Sequence, residues 1–127
     1  MKTLLFIFAL GVLISLNGFS QNRINSWDTE KISSILIETR ITDDKIEIIK
    51  IDKNEDMDNL FSFLKQIDFR QIENLDFDKT QVLSQWIFRM TFHGQPDQII
   101  FCQDYATIGK TIFGIDNKVI EDLKEVY

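Results

Sequence analysis

The stretch Ile35-Leu36-Ile37-Glu38-Thr39-Arg40-Ile41, then Thr42-Asp43-Asp44-Lys45, then Ile46-Glu47-Ile48-Ile49-Lys50-Ile51, decides the fold class. Ile35, Ile37, Thr39 and Ile41 alternate with Leu36, Glu38 and Arg40. That period of two, rich in β-branched residues, predicts a strand. The four residues that follow are turn chemistry, because aspartate side chains bond their own backbone and tolerate turn geometry. Residues 46–51 predict a second strand, antiparallel to the first. Ile46 and Ile48 fall on one side of it, Ile49 and Ile51 on the other. Apolar groups on both faces predict a central strand, covered from both sides.

Downstream the period changes. Met57, Leu60, Phe61, Leu64 and Ile67 stand at helical spacing, predicting a helix over residues 54–66. Asp52-Lys53-Asn54-Glu55 resembles a capping box. Asp56 and Asp58 add negative charge to the first turn, where the helix dipole favours it. Residues 68–80 are irregular and polar, with Phe69, Ile72, Leu75 and Phe77 spaced through them. Trp86, Phe88, Met90 and Phe92 then alternate with Ile87, Arg89, Thr91 and His93, which predicts a strand with the first set on the core. Gly94-Gln95-Pro96-Asp97 turns the chain, residues 99–103 return, and a looser turn at Gly109 leads to a last strand at 111–115. Asn117 is the expected cap of a final helix that buries Val119, Ile120, Leu123 and Val126. Upstream, residues 21–30 read as a loose lead-in that Trp27 pins to the body. The expectation is a single α+β domain: a small antiparallel sheet of about five strands, two helices on one face, order β-β-α-β-β-β-α.

The first twenty residues have a different character. Lys2 precedes an apolar run from Leu4 to Leu16, and Gly18-Phe19-Ser20 places small residues at the −3 and −1 positions before Gln21. That is the order of a cleavable signal peptide, with cleavage expected between Ser20 and Gln21. The apolar run is shorter than the roughly 20 residues a spanning helix needs. No cysteine stands at the cut, so a lipid anchor is not expected. Residues 21–127 are therefore expected to be secreted or periplasmic, without a stable membrane anchor. The whole chain carries 14 basic and 20 acidic residues, a net −6, which becomes −7 once Lys2 leaves with the leader. Such a surface repels phosphate backbones and argues against nucleic acid. Cys102 is the only cysteine, so no internal disulfide exists and packing must supply stability. Its expected role is a small buried apolar group.

The residues that might carry chemistry form no recognisable set. His93, the only histidine, reads as a surface residue at a strand end. Strand register argues against a dyad with Cys102. Pairing His93 with Gln98 separates the two by about 13 Å, and pairing Thr91 with Cys102 leaves about 7 Å, against the roughly 3 Å that activates a thiolate. Ser26, Ser33, Ser34, Ser62 and Ser84 lie in no nucleophile-elbow pattern. Residues 52–58 open like a calcium loop. However, Met57 stands where glycine is needed and Phe63 where a bidentate glutamate is needed. One histidine and one cysteine do not make a zinc set. Asp76 with Asp78, or Asp43 with Asp44, would serve glycoside hydrolysis only across a cleft. Gly109-Lys110-Thr111 has Asp104 in place of the upstream glycine of a phosphate loop. No cofactor or metal is implied.

The sequence thus favours an exported, non-catalytic domain that binds a protein outside the cytoplasm, as an envelope adaptor or an inhibitor- or immunity-type partner. A small-ligand carrier using the sheet face is the second expectation, and a small hydrolase without a recognisable motif the third.

Overall fold

The period-two stretches fold as a hairpin in a computed structural model, which describes residues 22–72 and 83–127. The expected leader, the cut at Ser20/Gln21, the Asp76 and Asp78 pair and most of the 68–80 segment lie outside the described residues. β1 (Ser34–Thr42) and β2 (Lys45–Ile51) pair antiparallel, with Ile35 opposite Ile51, Ile37 opposite Ile49 and Glu38 opposite Ile48. The register shifts between Arg40 and Thr42. Five more strands follow: β3 (Arg70–Gln71), β4 (Phe88–His93), β5 (Ile99–Phe101), β6 (Tyr105–Ile108) and β7 (Thr111–Gly114). All pairings are antiparallel, and the sheet order is β2-β1-β4-β5-β6-β7-β3. Helix α1 (Asn54–Lys65) follows β2, and helix α2 (Lys118–Val126) closes the fold.

The architecture is α+β with an antiparallel sheet and two helices, as the patterning predicts. Among the described residues the sheet has seven strands, however, not about five. The two that the sequence did not announce are β3, only two residues long, and β6, whose four residues sit between tight turns. A larger correction concerns β2. It stands at the end of the sheet, not in its centre.

One row of side chains explains the core. Thr39, Phe88, Phe101, Ala106 and Phe113 are successive cross-strand neighbours, and Ile37, Met90, Ile99 and Ile108 form the next row. In antiparallel pairing, residues directly opposite share a face, so both rows point one way. All of them but Thr39 join Met57, Leu60, Phe61 and Leu64 of α1 and Ile120 and Leu123 of α2 in a single buried cluster. Phe61 stacks on Phe92 with ring centroids 6.0 Å apart. The lead-in is tied down rather than loose. It forms two short 3-10 turns, buries Ile24, and sets Trp27 edge-on against Phe92 at 5.0 Å. Asn22 Nδ2 also donates to the carbonyls of Leu64, in the last turn of α1, and Ile67, just beyond it. Gly94, at φ +109°, lets its backbone approach Lys31 so closely that a Cβ there would sit 2.1 Å from the carbonyl oxygen.

Neither helix is capped as expected. The residue before α1 is Lys53, and it makes no side-chain cap bond, so the acids at 52–56 act through charge near the helix start. At α2 the bond comes from Asp116, whose Oδ1 accepts from the Lys118 amide, and not from Asn117. Ile120 and Leu123 are buried as the spacing predicts, but Val126 is exposed. The aromatic stripe also breaks. Phe88, Met90 and Phe92 face the core, whereas Trp86 is buried outside the core cluster. A bend at Ile87 interrupts the alternation just before β4, so Ile87 packs against the core instead.

Candidate functional site

Six large apolar side chains are exposed among the described residues: Leu36, Ile41, Ile46, Ile48, Ile49 and Val126. Singly scattered exposed apolar residues are ordinary, but a contiguous patch marks an interaction surface. Here five of the six belong to the β1–β2 hairpin, and the sixth, Val126, borders a groove with Ile49 and Ile51. The burial of the core face stops abruptly. Ile37 is 0% exposed, and Ile49, its direct neighbour across the hairpin, is 37% exposed. On the opposite face Ile46 and Ile48 are 45% and 61% exposed. Strand β2 thus presents isoleucines on both faces.

The second face of the sheet is organised by charge beside this patch. Ile48 lies across from Glu38, and Glu38 lies across from Arg89. Arg89 donates from Nε and Nη2 to the two carboxylate oxygens of Glu38, at 2.9 and 3.0 Å. This bidentate pair is the strong form of such contacts. The hydrogen bonds from Arg89 hold the Glu38 carboxyl below the usual glutamate range, and Glu38 in turn raises Arg89. Trp86 lies against both Arg89 and Arg40, whose guanidinium carbons are 4.5 and 4.4 Å from its ring centroid. Arg40 also donates to the Ser84 carbonyl at 2.8 Å. The cluster braces β1 against β4 directly behind the exposed hairpin.

The residues singled out for chemistry do not come together. Observed pairing sets Phe88 opposite Phe101 and Arg89 opposite Ile100, a register different from both considered above. Continued, it places Cys102 across from Ile87, about 20 Å along the ladder from His93 at roughly 3.4 Å per residue. His93 is exposed and pairs with Ser34. Cys102 is buried, and desolvation raises its thiol despite the nearby positive charge of Arg40. Such a thiol is a poor nucleophile. Residues 52–58 run into α1 with Met57 buried. Among the described residues, no group of three or more His, Cys, Asp and Glu side chains converges as a metal site.

Among the described residues, room for a small ligand lies at the helix ends and beside β2. The core face is filled by Phe88, Met90, Ile99 and Phe101, all 0% exposed. A cleft of about 150 Å³ opens between α1 and α2, lined by Leu60, Phe63, Leu123 and Tyr127 among others. Pockets for drug-sized ligands run to roughly 300–1,000 Å³. Burial raises the Tyr127 hydroxyl there, and Asp56 raises it further. The larger groove, about 430 Å³, borders Ile49, Ile51, Asp56, Val126 and Tyr127 and is open to solvent. It continues the exposed core face of the hairpin.

The sequence held the exposed isoleucines in plain view but assigned them to a covered strand. No protein-family model, curated protein or solved structure matches this chain.

Proposed function

We propose that this chain is an exported, non-catalytic protein-binding domain that binds through its β1–β2 hairpin. The leader pattern of residues 1–20 supports export. The observation that carries the binding reading is the gathering of all six exposed large apolar side chains, among the described residues, on or beside one sheet edge. A long apolar edge strand is a template for another strand. The carrier reading draws less support, because the core face is packed with side chains. The hydrolase reading draws least, because His93 and Cys102 lie far apart.

The test begins with the protein recovered from its source cells after export. Intact mass is expected to show a chain beginning at Gln21, partly cyclised to pyroglutamate. Cross-linking in those cells is then compared for the wild type, an Ile46→Lys/Ile48→Lys variant and His93→Ala. A cross-linked protein, whether another chain or a second copy, should persist with His93→Ala and vanish with the hairpin variant. No cross-link in the wild type, or an equal one in the hairpin variant, would contradict the reading.

A further inference from the structure

We propose that the partner at the β2 edge is a second copy of this chain, joined strand to strand about a two-fold axis beside Ile48. The inference rests on the reading of the hairpin as the binding surface and names its occupant. Among the described residues, β2 pairs with β1 along one side only and ends the sheet. Its other row of backbone N–H and C=O groups faces outward, and antiparallel addition of a strand would satisfy it.

Symmetry restricts how two such edges meet. Two antiparallel strands of one sheet are related by a two-fold axis perpendicular to the sheet. Opposed residues must share a face, so the pairing has to be centred on a residue. Centred on Glu47, that carboxylate faces its own copy, and pairing within the strand shrinks to residues 45–49. Centred on Ile49, pairing shrinks to residues 47–51, and Lys45 looks toward Lys53 of the other copy. Centred on Ile48, all seven residues of β2 pair and no like charges stand opposite. Ile48 meets Ile48, and Ile46 lies along the alkyl stem of Lys50. Lys45 and Glu47 lie opposite Ile51 and Ile49.

Charge and shape agree with that register. The chain is acidic overall at −6, yet β2 holds two lysines and one glutamate. Its edge therefore escapes the repulsion that the rest of the surface would impose on a second copy. The perpendicular axis keeps Leu36, Ile46 and Ile48 of both copies on one side. On the other side it brings together the two grooves bordered by Ile49 and Val126. In the dimer β2 becomes an internal strand, and each of its isoleucines gains a cross-strand neighbour on its own face.

Sedimentation of the purified exported chain over a wide concentration range, with cysteine scanning, tests this. The wild type should sediment as a concentration-dependent dimer, and Ile48→Lys should weaken it by at least tenfold. Opposed Cα atoms of antiparallel strands lie about 4.5–5.5 Å apart, within disulfide reach. Ile48→Cys should therefore form a covalent dimer on mild oxidation, whereas Glu47→Cys and Ile49→Cys should not. Cys102 is buried and stays out of the reaction. Cross-linking at 47 or 49 in place of 48 overturns the proposal. So does a monomer at every concentration with no cross-link at 48. If that monomer still captures another protein through the hairpin in cells, the second-copy proposal alone falls. If it captures none, the binding reading falls with it.

Discussion

The two ends of the sheet are built in opposite ways. One ends in β3, two residues long, with Arg70 and Gln71 both exposed. The other ends in β2, seven residues long, with Ile46, Ile48 and Ile49 exposed. Short edge strands and charged side chains are the usual defences against unwanted pairing. The β3 end carries both. The β2 end carries neither brevity nor a polar face, only Lys45, Glu47 and Lys50 among its isoleucines. The same chain keeps one edge short and polar and leaves the other long, with exposed isoleucines on both faces. The difference assigns association to the β2 edge and a closing role to the β3 edge.

The largest expected effect comes from reversing that contrast at its centre. Ile48→Lys enters an isologous contact twice and sets two ammonium groups together. Sedimentation should show association weakened on the order of a hundredfold. The folded monomer should lose less than about 0.5 kcal/mol, because Ile48 is the most exposed isoleucine of its strand. The matching change at the other end, Arg70→Ala, should leave association unchanged. A dimer that responds to Arg70 and not to Ile48 would invert the comparison.

A second substitution separates folding from association. Gly94→Ala places a Cβ against the Lys31 carbonyl at a positive φ. It should cost about 2 kcal/mol or more in denaturant unfolding. Association per folded molecule should not change, because Gly94 lies beyond the end of β4 and away from β2. A weaker association among the molecules that remain folded would show that the edge has no independent role.

The smallest effect concerns the brace behind the hairpin. The Glu38 carboxyl is held below its usual range by hydrogen bonds from Arg89. A carboxyl whose folded value is depressed adds stability above its unfolded value and loses it as pH falls through the folded value. Glu38→Gln should therefore cost up to about 1 kcal/mol at neutral pH, the scale of a partly exposed pair. The difference from wild type should shrink as the medium is acidified below the ordinary glutamate range. Thermal unfolding across pH checks both. An undiminished difference in acid would place the effect of Glu38 in its packing and not its charge.

The hairpin and both helices were legible because their periods are unambiguous. The position of β2 was not. Isoleucines on both faces say that both faces want cover, but they do not give the strand's place in the sheet. Unbroken alternation would put Trp86 on the core, but the chain bends at Ile87, a break that no glycine or proline announces. Instead Trp86 takes a place between two arginines. β6 escaped notice because Ala106 and Thr107 lack the bulk that marks a buried strand, although both are buried. Val126 sits at the last residue of α2, where helical spacing still points inward but the edge beside it is uncovered. For the candidate site, the residue types were visible and the edge position was not, since sheet order depends on long-range pairing.

Residue-resolved amide hydrogen exchange at low and high protein concentration tests the central claim most directly. If the β2 edge pairs with a second copy, the outward amides of residues 45–51 become protected as concentration rises. Those of Arg70 and Gln71 keep the same rates. Exchange in β2 that does not depend on concentration, or protection that rises equally at both edges, would contradict the account.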